Sequence, residues 1–331
     1  MKLKNWSAQI LAILSLLLLS GTVAPAGTIN ILQTFDYPFL PNATATLPQK
    51  ISDQGDLVGT VMDADGQAVA FIYKFRIGRF SNPIKEPNDT GNVTQGRGIN
   101  NLRRVCGEYL NATDGTFHGY KLFHPEFAEF DVANAVNTFL LGINNAGDLA
   151  GSVTLSDGSH LGFISVRQRV TMFQVPDAIA TFAYQVNTAD KIVGYYTDAN
   201  GLNHGYTRDT DGTLTYPIDV AGATETLLLG NNDSNWTVGR YTDALGVTHG
   251  LYYLTSDTIS TYDYPGATFT SINGINVQGT LVGHYVDTAG LAHGFIGKLS
   301  PGGTSSFPLP AAPAKANQGA PFKTKIGEPT L

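Results

Sequence analysis

Four histidines stand at matching places in the chain, His118, His204, His249 and His293, each followed by glycine and, in three cases, an aromatic residue. Imidazoles ligate zinc and copper, so the set invites a metal reading. Its spacing argues otherwise. One histidine per repeat falls at one register of a ring, too far from its equivalents to share an ion. A hydrogen-bonding role that ties strand to turn is expected instead, with no metal and no cofactor. A second set varies where the first recurs. Directly after an aligned glycine come Thr60, Glu108, Ser152, Tyr195, Arg240 and His284, while the next residues are Val61, Tyr109, Val153, Tyr196, Tyr241 and Tyr285. Neighbours on a strand face opposite sides. The uniform second group is therefore expected to pack between repeats. The polar first group is expected to gather at the axis and bind a ligand there.

Other chemistry is thinly represented. The signatures G-x-S-x-G and H-E-x-x-H and a phosphate loop are missing. The recurring Asp-x-x-Gly segments, such as Asp198 to Gly201 and Asp287 to Gly290, supply too few oxygens for calcium and read as turns. Cys106 is the single cysteine, so no internal disulfide forms; in the run Val105-Cys106-Gly107 it reads as a small buried hydrophobe.

The elements that must position these residues come from a repeat. Aligned glycines at 59, 107, 151, 194, 239 and 283 lie 48, 44, 43, 45 and 44 residues apart. Each copy holds four strand-like pieces. The first ends in Pro-Gly or similar, as at Tyr264-Pro265-Gly266. The second ends in a pair such as Ile143-Asn144 or Ile275-Asn276, replaced by Ile51-Ser52 in copy one and Asn231-Asn232 in copy five. An Asn that bonds its own backbone, followed by a Gly that accepts positive φ, is hairpin chemistry. The third piece carries the aligned glycine, and the fourth carries His-Gly-aromatic. Four short strands in about 45 residues match a propeller blade. The fold expected is all-β, a six-bladed β-propeller over residues 27–299. Either Thr28 to Tyr37 or Gly303 to Phe307 could complete a blade begun at the other terminus and remove an open sheet edge.

Composition agrees. Hydrophobic residues make up 42% of the 331-residue chain and charged residues only 14%, with 37 glycines, which suits short strands and tight turns. Residues 1–26 read as a signal peptide. Lys2 and Lys4 precede an apolar run from Ile10 to Leu19, and Ala24-Pro25-Ala26 supplies a cleavage site. Loss of those two lysines takes the net charge from −7 to −9, which speaks against nucleic acid and anionic membrane surfaces as partners. Residues 300–331 hold six of the 16 prolines and read as a disordered tail.

The pattern Ile-Asn-x-x-Gly-x-Leu-Val-Gly, then Asp-x-x-Gly, then His-Gly-Phe resembles the HAF-type repeat of extracellular bacterial proteins, over about residues 28–299. Blade one departs from it with Val69-Ala70-Phe71, blade two with Arg103 in place of the turn glycine, and blade three with Leu161 at the histidine position. The resemblance implies secretion and a repeat fold, and it carries over no functional residues. The expected product is a monomeric protein, secreted or periplasmic, that binds a glycan or a cell-envelope protein without catalysis. The alternative is an extracellular polysaccharide lyase or hydrolase, with Glu108, Arg240, His284 and Tyr195 sharing acid–base and charge-stabilising roles at the channel.

Overall fold

The computed structural model describes residues 27–254 and 259–300. The expected leader (1–26) and nearly all of the expected tail lie outside these residues. Strands repeat in groups of four antiparallel neighbours, joined by hairpins. The six innermost strands are Ala43–Ile51, Thr94–Ile99, Ala135–Ile143, Ala180–Val186, Glu225–Asn231 and Phe269–Ile275. Each touches the innermost strand of the blade on either side, and the sixth touches the first, so the ring closes. We number the blades I to VI in that order. The sixth is completed by the N-terminus: Thr28–Phe35 pairs antiparallel with Ala292–Ser300, from Thr28 opposite Ser300 to Phe35 opposite Gly294. Between the two candidates for closure, the N-terminal segment does it. No helix among the described residues is long and apolar enough to cross a membrane.

The aligned glycine has a steric cause. Every innermost strand carries a bulge opposite the second strand, for example between Ala183 and Gln185. Beside it, a Cβ on Gly194 would lie 2.0 Å from the Phe182 carbonyl oxygen, and on Gly239 2.0 Å from that of Leu227. The space above the glycine is covered by the residue opposite it on the third strand, Tyr206 for Gly194 and Phe295 for Gly283. That residue is the aromatic of His-Gly-aromatic. Tyr206 also donates its hydroxyl to the Phe182 carbonyl at 3.1 Å, locking third strand to first.

The turn asparagines bind the blades together. Asn187 Oδ1 accepts from the N–H groups of Ala189 and Lys191, both at 3.0 Å, capping its own turn. Its Nδ2 donates to the Asn232 carbonyl of the next blade at 3.2 Å. The same step runs from Asn100 to Asn144, from Asn144 to Asn187, from Asn232 to Asn276 and from Asn276 to Ser52. In blade II Arg103 takes the position of the turn glycine, with φ 56°, and its guanidinium pairs with Asp56 of blade I.

Candidate functional site

The six residues after the aligned glycines do not reach an open channel. They sit on second strands, and each second strand packs against the innermost strand of the following blade. All six are buried, Arg240 being the most exposed at 9%. Thr60 Oγ1 accepts from the Gly96 N–H of blade II at 3.1 Å. The Tyr195 ring stacks on Phe182 at 4.6 Å. Arg240 lies over Phe269 of blade VI at 5.6 Å, and the His284 ring stacks on that same phenylalanine at 5.3 Å. Arg240 and His284 are thus brought together, while Glu108 pairs with Arg97 of its own blade at 2.7 Å. Ser152 is sealed at 1% exposure. The expected channel ring is corrected for a geometric reason: a propeller's sheets are radial, so both faces of a second strand are covered by neighbouring blades. Alternation separates the two faces without making either axial. Glu108, Tyr195, Arg240 and His284 are all buried between blades.

Burial decides the electrostatics of this layer. It pushes the His284 imidazole down to about 3, with the nearby Arg240 charge adding to the effect. It raises the Glu108 carboxyl, and Arg97 only partly offsets that. It also raises the thiol of Cys106, which lies fully buried among Leu140, Ile143 and Leu149.

The axis itself is filled. At the position after each bulge stand Lys50, Gly98, Gly142, Gln185, Gly230 and Gly274. At the glycines neighbouring strands nearly touch: a Cβ on Gly230 would lie 2.8 Å from the Asn273 carbonyl oxygen, and one on Gly142 2.8 Å from Gln185 Oε1. The two long side chains enter the axial space. Lys50 crosses it, donating to the carbonyls of Leu229 (2.8 Å) and Asn273 (3.0 Å), with its ammonium 5.0 Å from the Tyr184 ring of the opposite blade. Burial pushes this lysine down to about 7, helped by the charge of Arg97.

Two openings border the asparagine turns, and the second extends along the blades as far as Asp219. One is an axial depression of about 50 Å³, lined among others by Asp53, Asn101, Gln185, Asn231 and Asp233. The other is a groove of about 550 Å³ between blades IV and V, bounded by Lys191, Arg208, Asp209, Pro217, Tyr253 and Ile259. Asn231 lines both. Within the groove Lys191 pairs with Asp209 at 2.8 Å, and the Arg208 guanidinium is held over the Phe173 ring at 4.9 Å. Sequence reasoning passed over this site, yet a signal was present: blade V breaks the Ile-Asn pair with a polar residue.

The repeated histidines lie toward the opposite ends of the strands and act as clamps. His249 Nδ1 meets Asp263 at 2.7 Å and Nε2 meets Asp243 at 3.4 Å, while the ring stacks on Tyr241 at 4.9 Å. Asp243 Oδ1 also accepts from the N–H groups of Leu245 and Val247, so the histidine ties the third strand to the preceding turn. His118, His204 and His293 repeat the arrangement with Asp131, Asp219 and Asp36 on Nδ1. Burial works against the charged rings of His118, His249 and His293, but their carboxylate partners outweigh it and raise all three above the ordinary value. In blade II Glu129 joins His118 and Asp131, with ligand atoms within 4.8 Å of one another. Both nitrogens of His118 are engaged by the clamp, and Glu129 accepts from the Tyr109 hydroxyl at 2.7 Å.

No protein-family model matches the chain, and no curated protein does. Among solved structures, TolB from Acinetobacter baumannii is similar at 8% identity with a TM-score of 0.51, over 74% of this chain and 65% of that one. The chain therefore spans 65% of TolB's length. The SapL1 lectin in complex with α-methyl fucoside is 13% identical over 81% of this chain and 98% of that one, with a TM-score of 0.49. The six-bladed Aleuria aurantia lectin is 13% identical with the same coverages and a TM-score of 0.46. The likeness to TolB shows the β-propeller fold.

Proposed function

We propose that the chain is a secreted or periplasmic carbohydrate-binding propeller, without catalysis, that holds a neutral glycan in the groove between blades IV and V. The groove carries the reading. Its volume of about 550 Å³ falls in the usual range for small-molecule sites, about 300–1,000 Å³. Its wall sets apolar surface from Tyr253, Pro217 and Ile259 beside the polar groups of Arg208, Asp209 and Thr215. A sugar ring has the matching division, with C–H groups on its faces and hydroxyls at its edge. Charges of both signs line the groove, and the net charge of −7 disfavours polyanions.

The test is calorimetric titration of the mature chain with cellotriose, maltotriose and mannotriose. At least one is expected to bind, and Tyr253→Ala or Asp209→Ala is expected to weaken it at least tenfold. Absence of heat with all three, or affinity untouched by both substitutions, would overturn the assignment.

A further inference from the structure

At the turn that joins them, the first two strands of a blade end in one cross-strand pair. It is Ile143 opposite Leu149, Val186 opposite Ile192 and Ile275 opposite Leu281, and blades I and II carry pairs of the same kind. Each pair packs on the residue before the aligned glycine of the preceding blade. That residue is Cys106 between blades II and III, Ala150 between III and IV, and Val238 between V and VI. The junctions on either side of blade I are filled likewise. An aliphatic plug thus closes the inner end of five junctions. Blade V is the exception, because its pair is Asn231 opposite Thr237. The residue this pair would cover is Val193 of blade IV, which packs with Leu228 and Leu251 instead.

Val193, Asn231 and Thr237 all line the groove, so the groove lies where the plug is missing. Packing alone does not account for the exchange. Both residues are buried, Asn231 at 6% and Thr237 at 3% exposure. Asn231 Nδ2 donates to the Lys191 carbonyl of blade IV at 3.2 Å, and the Thr237 side chain hydrogen-bonds that of Tyr253. Asn231 Oδ1 has no partner among the described residues. Polar groups buried where five blades bury hydrocarbon cost stability. A repeat fold reuses its packing residues, and a copy that departs from them at such a cost marks a functional place. We propose that the Asn231–Thr237 pair makes the ligand site: standing where the other blades carry the plug, it keeps the junction of blades IV and V open for a sugar. This rests on the groove being a carbohydrate site. The pair acts by the space it leaves and needs no contact with the ligand, which is held by the groove wall. A further consequence is stoichiometric. The five plugged junctions take no sugar, so the chain binds one.

The experiment compares two double variants of the mature chain that lose the same polar groups. Asn231→Ile with Thr237→Leu restores the plug, whereas Asn231→Ala with Thr237→Ala leaves the space empty. Melting temperature and trisaccharide affinity are measured for both and for the wild type, with cellotriose, maltotriose and mannotriose as probes. The wild type is expected to bind one trisaccharide per chain. The plugged variant is expected to melt above the emptied one and to bind at least tenfold more weakly than it. Equal affinity in the two variants would overturn the inference while leaving the groove assignment standing. A plugged variant that melts below the emptied one would show that the aliphatic side chains find no room there, and would overturn it as well. Binding of several trisaccharides per chain would contradict the open junction as the feature that confines the ligand. Failure of the wild-type chain to bind any probe would overturn the groove assignment, and the inference with it.

Discussion

His284 offers a prediction whose magnitude follows from its surroundings. The imidazole is 3% exposed, stacked on Phe269, with Nδ1 accepting from Asn273 Nδ2 at 3.1 Å. Its value in the fold is about 3, against roughly 6.5 in an unfolded chain. Between those values the unfolded state binds a proton that the folded state refuses, so stability falls as pH falls through the window. From pH 7 to pH 5 the unfolded form gains about 2 kcal/mol by this route, at about 1.4 kcal/mol per unit below 6.5. In His284→Asn, the asparagine oxygen can stand where Nδ1 stands and keep the bond from Asn273. Loss of the ring costs on the order of 1–3 kcal/mol at every pH. Carboxylate titrations are common to both proteins and cancel in the difference. Urea unfolding at pH 7 and pH 5 reads the effect. The variant is less stable at pH 7, and the gap narrows by about 2 kcal/mol at pH 5. Parallel losses in the two proteins would refute the buried, neutral imidazole.

Three further outcomes follow. Gly194→Ala places a Cβ 2.0 Å from the Phe182 oxygen, and thermal unfolding should show a loss of roughly 2–3 kcal/mol. Asn187→Ala removes a turn cap and an interblade bond at once, for roughly 2 kcal/mol by urea titration. The opposite sign of pH dependence is expected for His249, whose value is raised by Asp263 and Asp243 against the effect of burial. Its contribution is fully present below the unfolded value and is lost as pH rises through the folded one. The deficit of His249→Ala in melting temperature should therefore be larger at pH 6 than at pH 8.5, and a chelator should leave the wild-type melting temperature unchanged.

Much of the fold could be read from residues because single residues carry single causes. The aligned glycine, the turn asparagine and the Asp-x-x-Gly segment each answer a local clash or an unpaired backbone group, and such demands recur in every blade. The histidine clamp was legible for the same reason. Closure was only half legible: Thr28–Phe35 reads as a strand, but its partner Ala292–Ser300 lies at the other end of the chain, and no local signal chooses between the termini. The candidate site was harder. Alternation along the second strand correctly separated Tyr195 from Tyr196, but period-two arguments cannot say which neighbour covers which face. Only the innermost strands and the turns that end them border the axis. The departures visible in the sequence were Asn231, in a column otherwise of Ile and Val, and Lys50 and Gln185, in a column otherwise of glycine. The meaning of Asn231 depends on a groove that exists only once blades IV and V stand side by side.

Hydrogen exchange of the mature chain with and without the tightest-binding of the three trisaccharides tests the central claim most directly. The account predicts added protection in residues 207–219, 231–237 and 253–254, which hold the groove's lining, and none in the Asp-x-x-Gly turns of the opposite face, such as 243–246 and 287–290. Protection confined to those opposite turns, or to the outer strands of other blades, would contradict it.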